Sequence, residues 1–406
     1  MEEWKSYKLG DIATIQTGPF GSQLHQSDYV DEGIPCIMPT NIGQMLDFHE
    51  ENLAHITKED SERLSRHLVH EGEIIYSRRG DIEKCAYVSK EQDGWFCGTG
   101  CLKISITSPL AVPKFVAYQL STAEIRSWIV GNAVGTTMLN LNTSVLSDVP
   151  LRLPELSSQM RIVEMLDSLS DKITLNNRIN HNLEEQAKTL YKSWFVDFEP
   201  FKDGEFVESE LGMIPKGWSV FSLSQLMDIR RGSSPRPIQD YLSDSGLRWL
   251  KISDATSCTS PYIYSIQECI KESGLKNTVL RKKGTLVLSN SATPGLPKFL
   301  GVNTCIHDGW LYFENSILSN PFMYLMFSHF RDILLSQANG SVFINLKTEI
   351  VKNLQVALPP QKQMYQFDEI VSALFSDIKQ FTEESLSLIK QRDLLLPRLI
   401  NGSSPN

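Results

Sequence analysis

The residues of this 406-residue chain best suited to chemistry are those that can grip a polyanion or read the edge of a base. Arginine and lysine donate to guanine and phosphate, asparagine and glutamine match the adenine edge, and hydroxyls add phosphate contacts. In the first half, Ser77, Arg78 and Arg79 directly follow a β-rich run, with Lys84, Thr40 and Asn41 in neighbouring loops. In the second half, Arg230, Arg231 and Arg236 flank a Gly-Ser-Ser-Pro turn, and Lys282 and Lys283 precede another β-rich run. Ser289, Asn290 and Ser291 occupy the place of Ser77 to Arg79, and Lys251 and Lys298 are weaker candidates. The competing expectation for each basic cluster is an ordinary solvated or salt-bridged surface.

Covalent chemistry finds no comparable anchor. An adenine methyltransferase needs an Asn/Asp-Pro-Pro-aromatic turn, and Asn320, Pro321, Phe322, Met323 comes nearest but lacks the second proline. There is no Pro-Asp dipeptide for a nuclease carboxylate pair and no GxxxxGK[ST] phosphate loop. Gly98, Thr99, Gly100 is too short a fragment for a dinucleotide site. His67 with His70, and Cys97 with Cys101, lack the further ligands that a metal needs. The expectation is a chain with no catalytic residue, no metal and no cofactor of its own.

Composition sets the frame for these residues. With 41% hydrophobic and 21% charged residues the chain is ordered protein, long enough for two to four domains. The longest apolar stretch, around Pro321 to Phe327, is far short of the ~20 residues a membrane span needs. The start Met1, Glu2, Glu3, Trp4 does not resemble an export signal. Seven scattered cysteines, at 36, 85, 97, 101, 258, 269 and 305, suggest reduced thiols. A cytoplasmic protein with no membrane partner is expected. The net charge of −9 argues at first against nucleic acid, but residues 218–353 carry 14 basic and 10 acidic residues, whereas residues 1–150 carry 12 and 20. Local basic strips can survive within an acidic total.

The elements that position these groups occur twice. Trp4, Tyr7, Leu9, Ile12, Ile15 and Gly18 return as Trp218, Phe221, Leu223, Leu226, Ile229 and Gly232. Gly33 to Asn41 parallels Gly246 to Asp254, Gly72 to Ser77 parallels Gly284 to Ser289, and Asp93, Gly94, Trp95 match Asp308, Gly309, Trp310. Gly135, Asn140, Leu141, Thr143, Leu153 and Pro154 match Gly340, Asn345, Leu346, Thr348, Leu358 and Pro359. Gly18, Gly232, Gly135 and Gly340 are read as backbone positions needing positive φ or close approach, and Asn140 and Asn345 as turn or capping residues. Each copy reads as an α+β domain of short strands between Gly and Pro punctuation.

A long helix follows each copy. In the first, Ile162, Leu166, Leu169, Ile173, Asn176, Asn180, Leu183, Ala187, Leu190 and Trp194 recur at 4-3 spacing. In the second, Val371, Leu374, Ile378, Phe381, Ser385, Leu388, Arg392, Leu395 and Leu399 do the same. The stripes either cover their own domains or pack on each other, and Asn176 and Asn180 either fix register or form a wet or subunit-facing patch.

The duplicated domain-plus-helix order, LYKSWFVDF at Leu190 to Phe198, GMIPKGW at Gly212 to Trp218 and LLLPRLI at Leu394 to Ile400 together resemble the specificity subunit of type I restriction-modification systems. The resemblance covers essentially the whole chain. It implies an α+β protein of two pseudo-repeated target-recognition domains, residues 1–154 and 218–358, separated by two long helices packed as an antiparallel coiled-coil pair, residues 155–196 and 359–400. Residues 197–217 read as a linker and 401–406 as a tail. It further implies that each domain reads one half of a bipartite double-stranded DNA target. The helices would act as spacer and dock two methyltransferase subunits, which restriction/translocase subunits can join. S-adenosylmethionine would be bound by the methyltransferase partner. Two features depart from the pattern: PELSSQ at Pro154 to Gln159 answers to a shorter PPQKQ at Pro359 to Gln363, and only the second domain is basic. The alternative from another class is a non-catalytic helical scaffold binding proteins through its globular ends, and a complete methyltransferase is the third.

Overall fold

Short strands rich in β-branched and aromatic residues, closed by Gly and Pro turns, assemble twice in the same order in the computed structural model, which describes residues 4–43, 45–133, 140–337, 345–400 and 402. Two compact units divide the chain: Met1–Ile173 with Ser387–Asn406, and Thr174–Leu386. The division falls inside both long helices, so each unit owns a domain and part of each helix.

In the first unit, Lys5–Lys8 pairs antiparallel with Pro150–Leu153, Tyr7 facing Leu151, which closes the domain end to end. One antiparallel sheet runs Ala13–Thr17, Cys101–Ile106, Ile74–Ser77, Cys85–Tyr87. The other runs Tyr29–Val30, Ala54–Ile56, Ile34–Ile37, Phe96–Cys97, and its last pair is parallel. Ile74–Ser77 is buried at every position, as befits a central strand covered on both faces. The core of the strands and of the helix Pro113–Leu120 is completed by Leu166 of the central helix and Ile400 of the C-terminal helix.

The second unit repeats this plan with one more strand in each sheet. Ser219–Ser222 pairs with Gln355–Leu358. One sheet runs Asp228–Arg231, Trp310–Glu314, Leu286–Ser289, Pro297–Leu300, Tyr262–Ile263. The other runs Leu242–Ser243, Glu268–Ile270, Leu247–Leu250, Thr304–Ile306, Val279–Arg281.

These pairings correct one part of the repeat. Trp310 lies opposite Ser289 as Cys101 lies opposite Ser77, and Cys305 pairs with Trp249 as Phe96 pairs with Cys36. Asp308 therefore takes the place of Thr99, and the identical Asp-Gly-Trp strings at 93 and 308 are not equivalent positions. Close approach explains two of the recurring glycines. A Cβ on Gly18 would lie 1.9 Å from the Gly98 oxygen, and one on Gly232 would lie 2.2 Å from the His307 oxygen. Gly135 and Gly340 fall outside the described residues.

The helices span Leu156–Phe195 and Gln361–Ile400. In the second unit they run antiparallel, because Asn176 Nδ2 donates to Glu384 Oε2 at 2.8 Å and Asn180 Nδ2 to Thr382 Oγ1 at 3.1 Å. Both asparagines and Ser385 are buried, so the polar layer joins helix to helix and is not a wet patch. Leu183, Leu190, Trp194, Val371, Leu374 and Ile378 pack into one core with Phe322 and Met323 of the domain, so the stripes both pair and cover. Phe367 and Phe375 are also fully buried, making the stripe wider than two positions per heptad. In the first unit Leu166 and Ile173 are buried, Leu169, Leu388 and Leu395 are half-buried, and in the second so is Phe381.

Residues 197–217, expected as a linker, are ordered. Phe206–Ser209 and Gly212–Pro215 form a hairpin, and Phe198 and Phe201 pack edge-on against Trp218 at 5.3 and 5.1 Å. Buried aromatic area orders this segment despite its Gly and Pro content.

Candidate nucleic-acid interface

The same backbone frame holds a cluster of side chains at one end of each domain. In the first domain the Arg78 nitrogen donates to the Gly100 oxygen, the Leu141 nitrogen to the Arg78 oxygen, and the Gly18 nitrogen to the Cys101 oxygen, at 2.9, 3.0 and 2.9 Å. In the second, Asn290 donates to Gly309, Leu346 to Asn290, and Gly232 to Trp310, at 2.9, 2.7 and 2.9 Å. Isolated bridges join Arg79 to Asn140 and Ser291 to Asn345. One scaffold thus places Arg78, Arg79 and Asn140 in the first domain where the second has Asn290, Ser291 and Asn345, of which Asn290 is buried.

Arg78 is half-buried, with its guanidinium 5.9 Å from the centre of the Phe20 ring and its Nε donating to Asn140 Oδ1 at 3.3 Å. Arg79 is exposed, and neither arginine has an ion pair among the described residues. Two unneutralised guanidiniums side by side favour an anionic partner over a salt-bridged surface. Lys84 lies at the same end, its oxygen accepting from the Ser77 nitrogen at 2.9 Å, but its ammonium pairs with Asp81 at 3.3 Å. Thr40 is exposed, and its neighbour Pro39 lies against Gly100.

Nothing in the sequence singled out Phe20. It is 55% exposed beside Arg78. The available sign was an aromatic residue placed in a Gly-Pro turn immediately after the strand, where no core can receive it. Such an apolar group can touch a thymine methyl or wedge against a base step.

Several candidates are internal instead. Asn41 is buried, with Oδ1 accepting from the Met38 nitrogen at 2.9 Å and Nδ2 donating to the His49 oxygen at 3.2 Å. Asp254 caps the Lys251 nitrogen in the same way in the second domain. Ser77 and Ser289 are fully buried and bond the Arg79 and Thr293 oxygens. Lys298 is buried and donates to the Cys258 and Ser260 oxygens, both at 2.6 Å, and burial lowers its pKa. These residues build the frame.

In the second domain Asp308 gathers the exposed Arg231 and Arg236, the half-buried Ser234 and the buried Asn290. Arg231 Nε and Asn290 Nδ2 donate to its backbone oxygen, Ser234 Oγ to its carboxylate at 2.6 Å, and Arg236 pairs with it at 3.4 Å while staying 80% exposed. The Ser234 hydrogen bond holds the Asp308 carboxyl below its usual range. Arg230 points to Glu314 at 3.0 Å, and Lys251 pairs with Glu268. Lys282 and Lys283 are exposed without an ion pair among the described residues, but they precede Leu286–Ser289, at the opposite end of that strand from Asn290. They form a separate basic spot.

The other chemical candidates have structural roles. His67 is buried, receives a hydrogen bond from Arg66 at 3.0 Å, and is held near a pKa of about 4 by burial, then by Arg66 and Lys103. His70 pairs with Asp93 at 3.4 Å. Cys97 and Cys101 are buried thiols whose pKa values are raised by burial. Asn320 begins the helix Asn320–His329, which Ser319 caps, and donates to the Gly284 oxygen at 3.1 Å. All seven cysteines are free. Among the described residues no group of three or more His, Cys, Asp or Glu is placed to hold a metal, and no helix is long and apolar enough to cross a membrane.

The profile of the type I restriction modification DNA specificity domain matches residues 1–185 and 215–391. The chain is 25% identical over 413 residues to the type I restriction enzyme MjaIX specificity subunit of Methanocaldococcus jannaschii, covering 99% of this chain and 93% of that one. It is 23% identical over 480 residues to the HindI specificity subunit of Haemophilus influenzae, covering 99% and 100%. The fold is similar to the crystal structure of the S subunit of a type I restriction-modification system from M. genitalium, with a TM-score of 0.60 at 14% identity, over 100% of this chain and 97% of that one. Two copies of the family domain, each with its cluster on the same backbone frame, account for the whole architecture, and the chain belongs to the type I restriction modification DNA specificity family.

Proposed function

We propose that this chain is the non-catalytic, sequence-reading subunit of a DNA adenine methyltransferase and restriction complex, each domain reading one half of a bipartite duplex target. The observation that carries this is the shared frame with unlike side chains: Arg78 and Arg79 in one domain answer to Asn290 and Ser291 in the other. A duplicated scaffold with altered donors suits two half-sites of different sequence. In the first domain Arg79 takes a guanine edge or a phosphate, Arg78 is oriented by Asn140, and Phe20 makes the apolar contact. In the second, the exposed Arg231 and Arg236 around Asp308 do the corresponding work, the buried Asn290 holding the Asp308 backbone in place, and Lys282 and Lys283 add attraction to phosphate.

The paired helices hold the half-sites at a set spacing and dock two methyltransferase subunits, with restriction/translocase subunits joining the assembly. S-adenosylmethionine belongs to the methyltransferase partner. The test is coexpression with the cognate methyltransferase and genome-wide mapping of modified adenines. A split motif with a fixed gap is expected. A contiguous motif, or methylation independent of this chain, would overturn the proposal.

A further inference from the structure

The second domain contains a cleft of about 550 Å³ beside the Asp308 cluster, within the ~300–1,000 Å³ range of small-ligand sites. Pro235, Ile238 and Leu242 give it apolar walls. Trp249, 3% exposed, and His307 add two rings whose centres lie 5.9 Å apart. Such walls favour a flat ring over an extended chain.

The polar groups in the cleft suit the edge of a heterocycle. Lys251 holds one oxygen of Glu268, and the other, Oε2, is buried with no hydrogen-bond partner among the described residues. The Gly309 nitrogen donates to His307 Nδ1 at 2.8 Å, so the neutral ring carries its proton on Nε2. The lining therefore holds donors together with an acceptor, Glu268 Oε2, that is unpaired among the described residues but shielded from solvent, a combination that complements a base edge. Arg236, also in the lining and highly exposed, can take the attached phosphate. The first domain has Cys36, Met38 and Gly98 at the positions of Trp249, Lys251 and His307, so these polar and aromatic groups belong to the second domain alone.

We propose that this cleft receives one unstacked nucleobase, with Arg236 on its phosphate, so that the second domain reads one position of its half-site on an extrahelical nucleotide. This rests on the DNA-reading function proposed above. The base leaves its partner and stack, and ring contacts with Trp249 and His307 together with the Glu268 acceptor replace what it loses.

Two arms test it. The purified chain is titrated with dAMP, dCMP and deoxyribose 5-phosphate by calorimetry. The nucleotides should bind at least tenfold more tightly than the sugar phosphate, Glu268→Gln should weaken them severalfold, and Leu242→Trp, filling the cleft from a half-buried position, should abolish binding without changing thermal unfolding. In the second arm the complex with its cognate methyltransferase binds duplexes carrying 2-aminopurine at each position of the second half-site. One position other than the methylated adenine should depart from the quenched emission of a duplex-stacked 2-aminopurine, and Leu242→Trp should restore that emission. Nucleotides binding no better than the sugar phosphate would overturn the cleft as a base site. Nucleotide binding with no responsive position besides the methylated adenine, while the complex still methylates its split site, would overturn the extrahelical base and leave a free nucleotide as the ligand. Absence of any split methylated site would count instead against the DNA-reading function.

Discussion

Arg78 donates through Nε to Asn140 Oδ1 at 3.3 Å, and that bond orients a guanidinium to which no carboxylate is paired among the described residues. Arg79, next to it, is exposed and equally free of a carboxylate. Arg79→Ala should cost ~1 to 3 kcal/mol in target affinity and relax one base position if it reads a base, or weaken all sites evenly if it holds phosphate. Asn140→Ala should have a smaller effect of the same kind, and Phe20→Ala should weaken binding without altering its salt dependence. Affinity measured on a set of single-base variants at two salt concentrations separates these outcomes. Unchanged affinity in all three variants would return this surface to an ordinary solvated role.

The buried amides of the helix pair predict a trade of stability against register. Asn176 Oδ1 and Asn180 Oδ1 have no hydrogen-bond partner among the described residues, so the layer is only partly satisfied. Asn180→Leu should raise the stability of the chain by about 1 kcal/mol in denaturant unfolding while reducing the yield of correctly assembled complex. A destabilised Asn180→Leu chain would show that the Thr382 bond outweighs the cost of burying the amide.

Histidine burial predicts a pH dependence. The ordinary pKa of 6.5 falls to about 4 at His67, which the folded chain holds neutral at pH values where the unfolded chain protonates it. Its contribution is complete above pH 6.5 and is lost as the pH falls toward 4, on the order of 2 kcal/mol. His67→Gln should flatten the stability profile over that window relative to the parent chain. An unchanged profile would mean that other groups carry the acid sensitivity.

Much of the fold was legible because duplicated patterning reports on packing. Gly18 and Gly232 recur since neither position admits a Cβ, and the helix stripes recur since both are buried. The failures have physical causes as well. The Asp-Gly-Trp strings match by chance, and strand register alone separates them. Phe198 and Phe201 order the segment read as a linker, through contacts distant in sequence. At the candidate interface, side-chain type did not reveal direction: Asn41, Ser289 and Lys298 are good donors turned inward to satisfy the backbone. Phe20 went unnoticed because an exposed aromatic gives no period to detect.

The helices as spacer make a quantitative prediction. Seven residues inserted after Ile173 and seven after Leu386 keep the antiparallel stripes in register to within ~20° and add ~10 Å of helix. The gap between the half-sites should lengthen by about three base pairs at ~3.4 Å each, with both half-sites unchanged. A folded, active variant retaining the original gap would show that the helices do not set it.

Independent reading by the two domains is most directly tested by exchange. Residues 1–150 are replaced by the corresponding domain of a relative, the chimaera is coexpressed with the cognate methyltransferase, and modified adenines are mapped by sequencing. One half of the methylated motif should change while the other half and the gap remain as in the parent. A motif that changes in both halves, or in neither, would contradict the account.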